Sequence, residues 1–265
     1  MTQTERLTTQ HKASHGVDGI FGADAKTQSV MNYIQGKYSR LLFRHRTFIT
    51  KAEINEALQK IDRDLGQTLF VSDASIQPDG GIIEVKDDND NWRVILVSEA
   101  KYQGKDIENI QQGILVGKNN NQDLMVAGNA IERAHKNISE IANYMLSESH
   151  FPYVLFLEGS NFLTQDIIIK RPDGRAVTLK YTSGALNRLD RLTSANYGMP
   201  INTNLCRNKF INHRDKIIML QAASIYTHGN GDRWQEQEMF NIMLEIAETS
   251  IKILASDLFN QLTGK

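Results

Sequence analysis

The sequence predicts an α/β fold in which helices flank a central mixed β-sheet. Apolar residues recur at helical spacing in some segments and form short β-rich runs in others, and the two kinds of segment alternate along the 265 residues. A hydrophobic fraction of 40% is typical of a protein with a buried core. No linker, internal repeat or low-complexity tract divides the chain, so we expect one domain over residues 1–265.

The elements are predicted in order along the chain. Residues 1–50 are polar and predict an irregular or lightly helical N-terminal arm. A helix should start near Lys51, because Thr50 and Glu53 have capping-box spacing and apolar residues follow at helical intervals. The same criteria then predict a hairpin over 81–101, a helix over about 130–145, a strand at 152–157, a hairpin over 167–181, a helix over 183–194, a loop over about 196–208, a strand over 216–226 and a helical pattern over 234–262.

Charge and cysteine content limit the classes of protein to consider. Lys and Arg number 30 against 31 Asp and Glu, so any positive charge for DNA must be local. The single Cys206 cannot form an intrachain disulfide, and the first residues lack the apolar run of a signal peptide. No apolar stretch approaches the roughly 20 residues that a membrane span needs. We therefore expect a cytoplasmic protein with no membrane partner.

Asp79, Glu99 and Lys101 form the main candidate site. Asp79 and Glu99 are equidistant from position 89, the centre of the polar hairpin loop, so in a regular hairpin they would face each other. Lys101 lies two residues beyond Glu99 and would project from the same face. Two carboxylates without His or Cys favour Mg²⁺. Such a metal beside an ammonium group suits hydrolysis of a phosphodiester.

Two features of the sequence leave this interpretation open. A bulge at Gly80-Gly81 would shift the pairing by one residue and bring in Glu84, which is therefore a secondary candidate. Pro-Asp-Gly is also a common turn tripeptide, and charged residues at a strand end are often only solvated. Pro172-Asp173-Gly174 is the same tripeptide, but the strand after it has no carboxylate before its lysine. We interpret Asp173 as a turn residue.

Pro78-Asp79, followed by Glu99-Ala100-Lys101 on a later strand, is the pattern of the P-D…(D/E)-x-K nucleases. From about Leu7 to its C-terminus the chain closely resembles the EcoRI family of type II restriction endonucleases, with an apparent deletion between roughly residues 30 and 45. The segments that support the resemblance include 53–58, 122–125, 128–133, 135–143, 146–163, 187–193 and 195–201. The resemblance implies a restriction-endonuclease-like fold.

The resemblance also implies an activity. It implies a homodimer that binds double-stranded DNA and uses Mg²⁺ to cut both strands of a short palindrome, GAATTC, between G and A. A cognate DNA methyltransferase would act on the same site without having to bind this chain. Asp79 and Glu99 would be metal ligands, the Ala100 carbonyl would be a further ligand, and Lys101 would lie near the attacking water.

The resemblance places DNA recognition on two segments. The implied DNA-binding residues are Met125, Gly128, Asn129, Ala130, Glu132, Arg133, Arg188 and Arg191. From the residues alone, Gly128 to Ala130 open a helix whose N-terminus can face phosphate, and Asn and Arg suit adenine and guanine edges. Glu132 would orient Arg133 instead of touching a base. Without the family, Arg188 and Arg191 would predict only a solvated helix face.

Two positions depart from the family pattern, and two alternative functions stay open. Gln77 stands where the pattern has a lysine before Pro-Asp, and Tyr102 stands where it has a histidine after the catalytic lysine. Neither position is one of the three catalytic candidates Asp79, Glu99 and Lys101, so we expect the two differences to affect the rate or fidelity of cleavage and not the type of reaction. The alternatives are a DNA-binding module that does not cut and a nuclease that reads a related hexamer.

Overall fold

A computed structural model describes residues 23–67, 73–116, 119, 121–124, 130–182 and 188–264. Its helices are α1 (Ala23–Lys37), α2 (Lys51–Ile61), α3 (Asp106–Gln111), α4 (Ala130–Tyr144), α5 (Leu189–Ala195), α6 (Glu236–Ile253) and α7 (Phe259–Thr263), with a 3₁₀ turn at Ser160–Phe162. Its strands are β1 (Phe43–Arg46), β2 (Ile49–Thr50), β3 (Ser75–Ile76), β4 (Gly81–Lys86), β5 (Trp92–Tyr102), β6 (Tyr153–Glu158), β7 (Ile167–Lys170), β8 (Ala176–Leu179), β9 (Lys209–His213), β10 (Lys216–Leu220) and β11 (Ser224–Thr227).

The central sheet has five strands in the order β1-β4-β5-β6-β11. β1, β4 and β5 pair antiparallel, whereas β5, β6 and β11 pair parallel. β2 with β3, β7 with β8, and β9 with β10 form separate two-stranded sheets. The predicted α/β class with a central mixed sheet is therefore confirmed.

Helices cover both faces of the central sheet. On one face α1 and α6 pack over β4, β5 and β6 around fully buried residues such as Val30, Met243 and Phe156. On the other face α2 and α4 pack around Ile54, Ile141 and neighbouring strand residues. β5 and β6 are consequently buried on both sides, as their continuous apolar runs require. None of the helices in the described ranges is long and apolar enough to cross a lipid bilayer.

The predicted start of the helix near Lys51 is confirmed at the level of its cap. The Thr50 hydroxyl accepts the Glu53 N–H at 3.2 Å, and the Glu53 carboxylate accepts the Thr50 N–H at 2.8 Å. This reciprocal pair satisfies donors that the first turn cannot satisfy itself. The hairpins predicted at 81–101 and 167–181 are also present, as β4-β5 and β7-β8.

Other expectations differ from the structure. The N-terminal arm predicted over 1–50 as irregular or lightly helical is described from residue 23 onwards, where the helix α1 packs into the core and β1 is an edge strand of the central sheet. The single strand predicted over 216–226 is two strands in different sheets, β10 and β11, and β9 lies between the predicted loop and this strand, where the sequence predicts no element. The helical pattern over 234–262 divides into α6 and α7. Apolar runs of this length do not reveal where a chain changes direction, because tertiary packing decides it.

Candidate active site

A tight turn before β4 positions Asp79. The Gly81 N–H donates to the Pro78 carbonyl at 3.0 Å, and the Gly80 N–H donates to the Ser98 carbonyl of β5 at 2.9 Å. Gly81 has a φ of +76°, and a Cβ there would lie 2.5 Å from Nε2 of His45. Only glycine fits this position, because a side chain would be both strained and in collision. Asp79 is thereby held beside the middle of β5.

The register of the β4-β5 hairpin differs from the prediction. Glu84 pairs with Val94, which agrees with a centre at position 89, but Ile83 pairs with Leu96 and Gly81 with Ser98. β5 therefore has one extra residue, Ile95, and the bulge lies next to Glu84 and not at Gly80-Gly81. Asp79 does not face Glu99 across a ladder, since it reaches the site from the turn.

The side chains of Asp79, Glu99 and Lys101 nevertheless meet. Nζ of Lys101 lies 2.5 Å from Oδ2 of Asp79 and 2.6 Å from Oε1 of Glu99. The Glu99 side chain is fully buried, that of Lys101 is 15% exposed and that of Asp79 is 47% exposed. The group is thus open to solvent at Asp79 and closed at Glu99, with Lys101 between them.

Two further side chains bind Glu99. Nδ2 of Asn137, on α4, donates to Oε1 at 3.0 Å, and the hydroxyl of Tyr153, on β6, donates to Oε2. Sequence analysis missed both residues. A tyrosine within an otherwise apolar buried strand was the available signal for Tyr153, since a buried hydroxyl needs a partner. Asn137 gave no comparable signal.

The electrostatics of the site follow from its burial. Burial raises the pKa of Glu99 to about 7, with Lys101 opposing this rise and Asp79 adding to it. Burial alone would lower the pKa of Lys101, but the charge of Glu99 and the hydrogen bond to Asp79 outweigh it and raise that pKa above its ordinary value. Lys101 therefore stays a cation between the two carboxylates.

The donor atoms at this site fit Mg²⁺. Asp79 and Glu99 supply carboxylate oxygens, and the Ala100 side chain is buried on the opposite face, which leaves its backbone carbonyl as the possible ligand. Within the described ranges, no cluster of three or more His, Cys, Asp or Glu side chains forms an alternative metal site. Few protein ligands, all of them oxygen, suit a cation that retains water molecules and takes phosphate oxygens.

Glu84 lies outside this group, which corrects its place as a secondary candidate. It pairs with Val94, five positions from Glu99 along β5, a separation of roughly 16 Å at about 3.3 Å per residue. Its buried carboxylate binds Nε of Arg44 at 2.5 Å and lies 3.5 Å from Arg46. Arg44 in turn stacks over the Trp92 ring. Glu84 therefore ties the edge strand β1 to the sheet.

We expect the variant Glu84→Gln to be less stable without losing chemistry. The amide keeps the volume of the side chain but removes the charge that Arg44 and Arg46 bind, which should cost about 1–3 kcal/mol. Urea unfolding measures this loss. The cleavage rate per folded molecule should stay within about twofold of the wild type; a loss as large as that of a ligand variant would return Glu84 to the active site.

The predicted recognition residues are only partly described. Met125, Gly128 and Asn129 lie outside the described residues, and Ala130 is the first residue of α4. Glu132 and Arg133 are exposed in the first turn of α4. Arg188 occupies the position just before α5, and Arg191 is exposed on that helix. α4 and α5 contact each other. α4 thus connects the predicted recognition residues with the active site, since its first turn bears recognition candidates and Asn137 on the same helix binds Glu99.

Asp173 of the second Pro-Asp-Gly tripeptide, and the two residues that depart from the family pattern, Gln77 and Tyr102, all lie outside the group formed by Asp79, Glu99 and Lys101. Asp173 lies in the β7-β8 turn and accepts the Arg175 N–H at 3.0 Å, in agreement with its interpretation as a turn residue. The Tyr102 hydroxyl donates to Glu108 at 3.1 Å and so links the end of β5 to α3. Gln77 is exposed and donates to Ser75 at 3.1 Å.

Comparison with known proteins identifies the family of this chain. The family model described as restriction endonuclease EcoRI matches residues 14–261. The chain is 66% identical to the type II restriction enzyme EcoRI of Escherichia coli over 99% of this chain and 98% of that protein. It is 48% identical to the type II restriction enzyme RsrI of Cereibacter sphaeroides over 97% of this chain and 95% of that protein. The chain belongs to the EcoRI restriction endonuclease family.

Proposed function

We propose that this chain is a type II restriction endonuclease that uses Mg²⁺ to hydrolyse both strands of double-stranded DNA at GAATTC, between G and A. The observation that supports it best is the convergence of Asp79, Glu99 and Lys101 on one half-open point of the sheet. Membership of the EcoRI family supports the same conclusion.

Each group in the site has a distinct role in this proposal. Asp79, Glu99 and the Ala100 carbonyl bind Mg²⁺, which supplies positive charge at the scissile phosphate and promotes ionisation of the attacking water. The Lys101 ammonium lies between the carboxylates, where it stabilises the negative charge that develops on the phosphate. Burial of Glu99 keeps bulk water from its carboxylate and strengthens these interactions.

Recognition is proposed for the two segments around α4 and α5. Met125, Gly128, Asn129, Ala130, Arg133, Arg188 and Arg191 bind the DNA, with Glu132 orienting Arg133. The exposed guanidinium groups of Arg133 and Arg191 suit guanine edges or phosphates. A homodimer would present one site to each strand of a palindrome, and a cognate methyltransferase would protect the same sequence.

The direct test uses a supercoiled plasmid with one GAATTC site. We expect a single linear product with Mg²⁺, no product with chelator, and no product from a plasmid whose site is mutated or methylated. Sequencing of the cut ends locates the cleaved bonds, and light scattering gives the oligomeric state.

Other results would favour the alternatives. A protein that retards the GAATTC duplex but leaves every plasmid intact in Mg²⁺ would be a DNA-binding module without cleavage. Ends that map to another hexamer would keep the nuclease and replace its specificity.

A further inference from the structure

We propose that Tyr153 is a positioning residue for the metal-binding carboxylate Glu99: its hydroxyl holds Oε2, so that Oε1 faces Asp79 and Lys101. The inference rests on the proposed function, because it assigns to Glu99 the role of a Mg²⁺ ligand. Tyr153 itself is fully buried and belongs to the core under α4, so it reaches neither DNA nor solvent.

The two oxygens of Glu99 have different partners. Oε1 lies 2.6 Å from the Lys101 ammonium, on the side that Asp79 shares, and also accepts from Asn137 at 3.0 Å. Oε2 accepts from the Tyr153 hydroxyl. The Tyr153 hydroxyl therefore holds Oε2 on the core side, and Oε1 is the oxygen that lies with Lys101 on the side of Asp79, where a metal would bind.

The sheet positions the phenol for this contact. β5 and β6 are parallel, with Val97 opposite Tyr153 and Glu99 opposite Leu155, so Tyr153 and Glu99 are diagonal neighbours on one face. The long tyrosine side chain spans that diagonal. Its ring also stacks on Phe151 with centroids 5.7 Å apart, which restricts its rotation. The hydroxyl therefore has little freedom to leave Oε2.

Burial makes such a partner necessary. Asn137 and Lys101 bind Oε1, so without the Tyr153 hydroxyl Oε2 would lose its donor, and a buried carboxylate oxygen without a donor favours rotation or uptake of a proton. Groups that bind the ligands of a metal commonly affect metal affinity by about 10-fold to 100-fold. We expect the Tyr153 hydroxyl to have an effect in this range, although it would never touch the metal.

The test compares Tyr153→Phe with Tyr226→Phe. Tyr226 is another buried core tyrosine, packed against Phe156 and Trp234 on the opposite face of the sheet, so its variant removes a hydroxyl without touching Glu99. Mn²⁺ binding is measured by electron paramagnetic resonance, for the protein alone and for its complex with a GAATTC duplex whose scissile linkages cannot be hydrolysed. Thermal unfolding and duplex binding in chelator check the fold.

We expect Tyr153→Phe to weaken Mn²⁺ binding about 10-fold or more, with metal-free duplex binding unchanged and Tyr226→Phe like the wild type. Replacement of Tyr153 by 4-aminophenylalanine, which restores an N–H donor on the same ring, should recover most of the affinity. Unchanged Mn²⁺ binding in Tyr153→Phe, or an equal loss in Tyr226→Phe, would overturn the inference. The Mn²⁺ titration measures binding and requires no cleavage. Its result therefore tests the role of Tyr153 separately from the proposed function, which would be overturned if the wild type failed to cut DNA.

Discussion

Replacing Glu99 by Gln should abolish DNA cleavage while the protein stays folded and still binds DNA. The change removes one of two carboxylate ligands and leaves the Lys101 ammonium with Asp79 alone. The expected loss in the single-turnover rate is about 1,000-fold or more, because the metal and the ammonium act where charge develops on the phosphate.

The glutamine keeps the volume of Glu99, and the removal of a desolvated charge offsets the one hydrogen bond lost, that in which the Tyr153 hydroxyl donates to Oε2. Its carbonyl oxygen can accept from Asn137 and Lys101, as Oε1 does, and its amide can donate to the oxygen of Tyr153. We therefore expect little change in thermal stability. Binding of a GAATTC duplex in chelator, measured by fluorescence anisotropy, should be close to that of the wild type.

Glu84→Gln is the matched control for this variant. It neutralises a second fully buried carboxylate on the same sheet face, but one bound to Arg44 and not to the active-site lysine. The two variants should show opposite behaviour: stable and inactive for Glu99→Gln, less stable and active for Glu84→Gln. Cleavage by Glu99→Gln at more than about a tenth of the wild-type rate would contradict its role as a ligand.

The core of the site was predictable because its parts are close in sequence. Asp79 lies in the turn that leads into the β4-β5 hairpin, and Glu99 and Lys101 lie on β5. The alternation of a strand and the approximate symmetry of a hairpin therefore bring all three to one region, although Asp79 does not face Glu99 in the ladder. Those rules alone favoured the other interpretation, an ordinary turn tripeptide followed by solvated charges at a strand end. The resemblance to the EcoRI family decided between the turn and the catalytic interpretation. It also implied the activity and the recognition residues.

The surroundings of the site were not predictable in the same way. Tyr153 reaches Glu99 through the parallel pairing of β5 with β6, and Asn137 reaches it from α4, so both contacts depend on tertiary packing. The position of the bulge is a similar case. The sequence predicted it at Gly80-Gly81, but those glycines form the turn, and the extra residue is Ile95 on β5, opposite the step from Ile83 to Glu84.

Replacing Asp79 by Asn should reduce cleavage by about 100-fold to 1,000-fold, whereas the same change at Asp173 should leave it unaltered. Both aspartates follow a proline and precede a glycine in a turn before a strand, so the two variants change the same tripeptide in the same way. They differ in what surrounds the carboxylate. Asp79 binds Lys101 at 2.5 Å beside Glu99, and Asp173 binds only the exposed Arg175 and its own turn.

The Mg²⁺ dependence of cleavage is a second measurement that distinguishes Asp79→Asn from Asp173→Asn. Asn retains one oxygen but not the charge, so Asp79→Asn should need a higher Mg²⁺ concentration for half-maximal rate, and Asp173→Asn should follow the wild-type curve. Thermal unfolding should place both variants near the wild type, because both side chains are about half exposed. Equal rates in the two variants would mean that Asp79, like Asp173, only shapes a turn, and that the metal is bound without it.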